Sequence, residues 1–151
     1  MSRRFSNVVG FDDAAFPRDH RGTVPVVGAV YANLRLDGVL MTEIQKDGND
    51  AAEKLARLVG DSKFAEHIQL VLLQGITLAG FNVVDLFSLS DRLARPVLAV
   101  ARKAPDLAAI RAALLSKIQD GEKKWQLIQR LGPMEAVGEV LVQRVGLSLE
   151  D

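Results

Sequence analysis

Two adjacent carboxylates stand at the end of the chain's first apolar run. Asp12 and Asp13 directly follow residues 8–11 (VVGF). Like charges side by side repel, and burying them is costly unless a cation, a shared proton or solvent relieves them. An exposed turn after a strand would explain the pair without any function. The alternative is a site for one or two hard cations, because Mg²⁺ takes oxygen ligands and two-metal centres cleave phosphate esters.

Two further acidic residues lie in a short turn segment. Asp47 precedes a glycine, which is a common turn dipeptide. Asp50, with Glu53 three residues later, matches a helix capping box. We therefore expect a structural role for Asp50 and regard Asp47 as the better site candidate. The predicted metal ligands are Asp12, Asp13 and Asp47.

A glycine-containing loop offers a second kind of chemistry. Residues 74–82 (QGITLAGFN) follow an apolar run, and glycine permits close backbone approach to a ligand. Such a loop could hold a phosphate at a helix N-terminus, although it matches neither a Walker nor a dinucleotide fingerprint. Asp85 lies near the start of the next helix, where the dipole favours it without any function, so structural and catalytic roles both stay open. Basic residues after a later strand could pair with phosphate or be solvated, and the predicted substrate-binding set is Gln74, Gly75, Thr77, Asn82, Arg102 and Lys103.

The elements that position these residues follow two hydrophobic periods. Strands are predicted at 5–11, 23–31, 35–44, 68–73, 96–100 and 137–145. Helices are predicted after Asp50, over 81–93, after Pro105 with an apolar stripe of Leu107, Ile110, Leu114 and Ile118, and around Trp125. The first three strands form an antiparallel meander, and the later strands alternate with helices. This pattern is typical of a mixed α/β fold.

The direction of the strands would bring the candidate residues together. If the first, third, fourth and fifth strands run parallel, their carboxyl ends share one edge of the sheet. Open α/β sheets bind ligands at that edge. We therefore predict a mixed sheet with helices on both faces, and a site where the acidic, glycine-containing and basic loops converge.

The composition limits the classes of protein to consider. The 151 residues predict a single domain, 1–151. Basic and acidic residues both number 19, which argues against non-specific polyanion binding but leaves a local basic patch open. The chain has no cysteine, which fits a reducing interior. No apolar run approaches the ~20 residues of a membrane helix, so we expect a cytoplasmic protein without a membrane partner. The sequence leaves both a monomer and a homo-oligomer open.

Five runs spread over nearly the whole chain carry a family resemblance. They are residues 10–13 (GFDD), 24–28 (VPVVG), 36–40 (LDGVL), 47–51 (DGNDA) and 75–85 (GITLAGFNVVD). In these runs the chain resembles endonuclease dU, an archaeal family that is a distant relative of endonuclease V. The resemblance implies a ribonuclease H-like fold with strand order 3-2-1-4-5. It also implies metal-dependent cleavage of DNA at or near a deaminated base.

The resemblance further implies roles for individual residues. Asp12 matches a catalytic Asp that endonuclease V carries in a Gly-x-Asp setting on its first strand. Arg102 stands where endonuclease V has a Lys after its fifth strand. Endonuclease V has an Asp-Gly pair at the end of its fourth strand, where this chain has Gln74 and Gly75, so the metal site would lose a charge. The expected catalytic residues, including those that could compensate, are Asp12, Asp13, Asp47 and Asp85.

Two functions are consistent with these observations. The first is an endonuclease that uses Mg²⁺ or Mn²⁺ and acts on DNA containing deaminated bases such as deoxyuridine. The alternative is a non-catalytic module on the same scaffold that binds nucleic acid or a phosphate ligand, since fold does not settle activity. The two differ in whether Asp12, Asp47 and Asp85 come within a metal ion's reach of one another.

Overall fold

The computed structural model describes residues 4–151, which form nine strands and four helices. The strands are β1 (Asn7–Asp13), β2 (Thr23–Ala32), β3 (Arg35–Gln45), β4 (Leu70–Gln74), β5 (Thr77–Leu78), β6 (Asn82–Val83), β7 (Val97–Ala101), β8 (Glu135–Val137) and β9 (Val140–Val145). The helices are α1 (Ala51–Gly60), α2 (Leu86–Leu93), α3 (Leu107–Lys117) and α4 (Gly121–Leu131). None of these four helices has the length and apolar character needed to cross a bilayer.

Seven of the strands form one mixed sheet in the order β3-β2-β1-β4-β7-β9-β8. β1, β2 and β3 are an antiparallel meander, while β4 runs parallel to both β1 and β7. The predicted mixed α/β class and the strand order 3-2-1-4-5 are confirmed, with β7 as the fifth strand of that order. β1, β3, β4 and β7 therefore end at one edge of the sheet, as their sequence order predicts.

Two elements differ from the sequence prediction because short hairpins interrupt them. The helix predicted over 81–93 begins only at Leu86, since β5 and β6 first pair as a tight antiparallel hairpin. Gly80, with a φ of 80°, lies in the turn of that hairpin. The strand predicted over 137–145 is the hairpin β8–β9, and Gly138 (φ 59°) turns between its strands. Positive φ is accessible to glycine without steric cost, and hydrophobic periodicity does not register it.

Both crossover helices pack on the same face of the sheet. α1 contacts β3, α2 contacts β7 and β9, and the two helices contact each other. Right-handed crossovers that step across a sheet in one direction place their helices on one face, and both crossovers here step from β3 towards β7. We predicted helices on both faces of the sheet. The opposite face of the sheet, called the open face below, instead exposes apolar side chains of β2 and β3. They are Val27, Tyr31, Leu36, Val39 and Met41.

α3 and α4 pack against each other, and they share an apolar cluster with Val83 of β6 and with Ile76 and Phe81 of the adjoining loops. The apolar stripe predicted for α3 is buried only at its centre, because Leu114 is fully buried while Leu107 is 44% exposed. Gly121 begins α4 so close to α3 that a Cβ on it would lie 1.7 Å from the Leu114 carbonyl oxygen. Only glycine allows this approach, which lets α4 pack against both α3 and β6.

Candidate active site

Asp12 is the penultimate residue of β1, and its side chain is exposed on the open face. Side chains alternate along a strand, so the adjacent carboxylates of Asp12 and Asp13 point to opposite faces. Asp12 Oδ1 accepts a hydrogen bond from the Asp13 backbone N–H at 2.9 Å. Partial burial raises the pKa of Asp12, the Asp13 backbone bond opposes that rise, and the Asp13 carboxylate adds to it. A cation bound here would stabilise the Asp12 anion and lower this pKa.

Gln74, the last residue of β4, lies beside Asp12 at the same edge. Both side chains line a shallow depression of about 520 Å³ on the open face. Gly75, the next residue, turns the chain with a φ of 78° and donates its N–H to a β7 carbonyl. Arg102 and Lys103 directly follow β7 and are exposed. One carboxylate, one amide and two cationic side chains therefore belong to the carboxyl ends of three neighbouring strands.

Asp13 and Asp47, the other two predicted metal ligands, hold a loop in place. Asp13 Oδ2 accepts a hydrogen bond from the Ala79 N–H at 2.7 Å. Asp47 Oδ1 accepts from the Phe81 N–H at 2.8 Å. The same Oδ1 occupies the space in which a Cβ on Gly80 would lie, 2.4 Å away. The two carboxylates thus tie the β5–β6 turn to the ends of β1 and β3.

Asn82, predicted to contact substrate, is fully buried beneath that turn. Its Nδ2 donates to the Gln45 carbonyl at 2.9 Å and to Asp50 Oδ1 at 2.7 Å, and its Oδ1 accepts from the Ala51 N–H at 3.3 Å. Asp50 occupies the N-cap position of α1, but its side chain makes no capping hydrogen bond. The predicted capping box does not form, because this carboxylate is taken up by Asn82 and by the Gln45 N–H.

Lys124 of α4 is a buried cation that the sequence analysis missed. It is only 5% exposed. Its Nζ donates to three backbone carbonyl oxygens, those of Asp47 (2.7 Å), Gly48 (2.7 Å) and Phe81 (2.8 Å). Burial lowers the pKa of Lys124, and the Asp47 and Asp120 carboxylates oppose that shift. Its spacing in the sequence could have predicted this burial, because Lys124 lies four residues before Ile128 and therefore on the same, inward side of α4.

An apolar cavity of about 450 Å³ opens between α4 and the loop that follows β4. Gly75 and Thr77, two of the predicted substrate-binding residues, line it. Trp125 and Ile128 of α4 line it as well. Gly75, which lines this cavity, is the neighbour in sequence of Gln74, which lines the depression beside Asp12.

Of the acidic residues predicted to form a metal site, only part is arranged so that it could bind an ion. Within residues 4–151, no group of three or more His, Cys, Asp or Glu side chains could hold one ion together. Asp47 and Asp85 therefore do not complete a site around Asp12, and the Asp85 carboxylate caps α2 by accepting from the Ser88 N–H at 3.0 Å. Mg²⁺ is nevertheless often bound by one or two carboxylates together with substrate phosphates. Asp12 and Gln74 fit a site of that kind, which needs phosphate oxygens to complete it.

The strand order of the mixed sheet is that of a ribonuclease H-like architecture, and solved structures share it. Endonuclease V from Ciona intestinalis, solved with a 24mer DNA containing an inosine, superposes with a TM-score of 0.56 at 12% identity. That match covers 97% of this chain and 74% of the Ciona chain. A protein of unknown function from Archaeoglobus fulgidus superposes with a TM-score of 0.86 at 34% identity, covering 94% of this chain and 79% of the other.

The chain belongs to the endonuclease dU family, whose model matches residues 4–151. A UPF0215 protein from Deinococcus radiodurans is 50% identical over 148 residues, which cover 98% of this chain and 75% of that relative. The family resemblance predicted from the sequence is confirmed. Family and fold together support a nuclease.

Proposed function

We propose that this protein is a metal-dependent endonuclease that cleaves DNA at deaminated bases such as deoxyuridine. The observation that carries the proposal is the exposed Asp12 carboxylate beside Gln74, at the carboxyl edge of the sheet. Membership of the endonuclease dU family supports the reaction. The similarity to an endonuclease V that was solved with inosine-containing DNA supports the kind of substrate.

In this proposal each residue near the edge has a separate task. Asp12 and the Gln74 amide oxygen would hold Mg²⁺ or Mn²⁺ beside a phosphate of the DNA. When bound, such an ion neutralises charge on the phosphate and makes a water molecule more acidic. Arg102 and Lys103 hold neighbouring phosphates through charge-assisted hydrogen bonds. Asp13 orients the loop that carries Thr77.

A non-catalytic DNA-binding module remains the second candidate, and Gln74 is the observation that favours it. A neutral amide stands where a carboxylate is expected at the end of the fourth strand, and among residues 4–151 no three acidic side chains are grouped so that they could hold one ion. A module of this kind would bind DNA through Arg102 and Lys103 and would leave the phosphodiester intact.

The test is a nicking assay on duplexes with one deoxyuridine, one deoxyinosine or no modification. With Mn²⁺ or Mg²⁺ we expect cleavage of a modified strand, and with EDTA none. Asp12→Asn should reduce the rate at least ~100-fold, the scale of losing a main electrostatic contributor to catalysis. Asp19→Asn, an exposed carboxylate in the loop before β2, is the matched control and should leave the rate unchanged. If the folded wild type cleaves no duplex, the binding module replaces the nuclease.

A further inference from the structure

The helix α3 is apolar on every side, although most of it is exposed. Its sequence, LAAIRAALLSK, is Leu, Ala or Ile except at three positions, and only Leu114 is buried. Surface helices normally carry polar residues on the side that faces solvent. The exposed positions of α3 instead include Ala108, Ala112 and Leu115, and Leu115 is 46% exposed. A helix of this composition is expected to be covered on more than one side.

A shallow groove between α3 and α4 carries charges of both signs. α3 contributes Arg111 and Leu115 to its lining, and α4 contributes Glu122 and Gln126. Both charged side chains are exposed, and neither forms an ion pair with another residue of the described range 4–151. The groove therefore offers a positive charge on α3, a negative charge on α4 and apolar surface from Leu115.

A second copy of the chain matches this pattern of charges. A two-fold axis brings the same surface of both copies together, so each contact between two different residues forms twice. When α3 of one copy lies against α4 of the other, Arg111 meets Glu122 of the second copy at both ends of the contact. The short side chains of Ala108 and Ala112 allow the helices to approach to the ~8–10 Å of packed pairs. Nucleic acid fits this groove less well, because its phosphates would lie beside the Glu122 carboxylate.

We propose that two copies of this protein associate through α3 and α4, and that the four helices form a bundle with Leu115 in its interface. Each helix has 11 residues and extends ~16 Å, and two packed helices are ~20 Å wide. The contact therefore covers roughly 300 Å² of each copy, less than half of the ~800 Å² per partner of a standard interface. Association is accordingly weak, with an expected dissociation constant of about 10–100 µM. This association is separate from the proposed nuclease function, because it requires neither DNA nor metal.

Sedimentation equilibrium of the whole protein, without DNA, measures the association over roughly 5–500 µM, which brackets the expected dissociation constant. Leu115→Asp should weaken the dimer at least ~10-fold, because the interface would bury an unpaired carboxylate. Val39→Asp is the matched control, since it makes the same kind of change at an exposed position of the open face and should leave the dissociation constant unchanged. A protein that stays monomeric at every concentration would overturn the inference. A dimer that Val39→Asp breaks and Leu115→Asp does not would also overturn it.

A charge reversal tests the contact between Arg111 and Glu122 directly. Arg111→Glu sets two carboxylates against each other at both contacts, so it should weaken the dimer by about 10-fold. Adding Glu122→Arg to the same chain re-forms both pairs with the charges exchanged and should bring the dissociation constant back to within about 3-fold of the wild type. No recovery in the double variant would overturn the proposed arrangement of the helices. If Leu115→Asp fails to fold, the charge reversal decides alone.

Discussion

Replacing Lys124 by Met should destabilise the protein by about 3 kcal/mol. The ammonium makes three hydrogen bonds of 2.7–2.8 Å to backbone carbonyls, and bonds that involve a charged group contribute ~1.5–3 kcal/mol each. Their sum of roughly 4.5–9 kcal/mol is offset by desolvation, which also lowers the pKa of Lys124. Met fills the space and leaves the carbonyls of Asp47, Gly48 and Phe81 without this donor. The expected loss is therefore about 3 kcal/mol, near the lower end of the range for removing one partner of a buried ion pair.

Urea denaturation at neutral pH measures this change in the free energy of unfolding. The control is Lys123→Met, an exposed position on the same helix, which should change stability by less than about 0.5 kcal/mol. A loss of stability below ~1 kcal/mol for Lys124→Met would mean that the three hydrogen bonds only offset the desolvation cost of the ammonium and do not stabilise the fold.

The lowered pKa of Lys124 gives the same variant a signature in alkaline solution. Between the folded pKa and the ordinary Lys value of 10.5, the unfolded chain binds more protons than the folded one. The free energy of unfolding of the wild type should therefore rise with pH in that window relative to Lys124→Met. If the free energies of unfolding of the two proteins changed with pH in parallel, the Lys124 ammonium would not be buried as described.

Three further outcomes are expected. In metal-free protein, Asp12→Asn should raise the free energy of unfolding at neutral pH, and this gain should vanish in acid. The reason is the raised pKa of Asp12 in the folded protein. The stability linked to a raised pKa is fully present below the unfolded pKa and is lost as the pH rises through the folded pKa, and Asn cannot ionise. Denaturation between pH ~3 and ~7 checks this. Leu114→Ala should cost ~2–5 kcal/mol because Leu114 is fully buried, whereas Leu115→Ala at an exposed position should cost little by the same measurement. Arg102→Ala should weaken DNA binding and reduce the slope of log K against log salt by about one, as one lost phosphate contact would; an unchanged slope would remove Arg102 from the phosphate-binding residues.

The order and direction of the main strands could be predicted because they depend on local patterns. Alternation, apolar runs and turn residues set the meander, and the parallel strands follow from their connections. The alternation of side chains along β1 also implies that Asp12 and Asp13 face opposite ways, although we predicted both as ligands of one metal site. The two hairpins escaped prediction because each depends on a backbone conformation, at Gly80 and at Gly138, that periodicity does not report.

The roles of the polar residues could not be predicted, because their partners are distant in sequence and are mostly backbone atoms. Asp13 is bonded to the N–H of Ala79, 66 positions away. Lys124 is bonded to a carbonyl 77 positions away. A carboxylate that holds a loop and one that awaits a metal ion look alike in a sequence. Only the packing of the β5–β6 turn shows that Asp47 belongs to the first kind.

We propose that Asp12 binds the divalent ion needed for cleavage. Calorimetric titration with Mn²⁺ in the presence of an uncleaved duplex measures this binding. The duplex carries a phosphorothioate or other resistant linkage beside its deoxyuridine. Asp13→Asn is the matched control, because the amide oxygen can still accept from the Ala79 N–H and the residue points to the other face. We expect saturable Mn²⁺ binding by the wild type and by Asp13→Asn, and none by Asp12→Asn. Equal Mn²⁺ affinity of the wild type and Asp12→Asn would contradict the proposal.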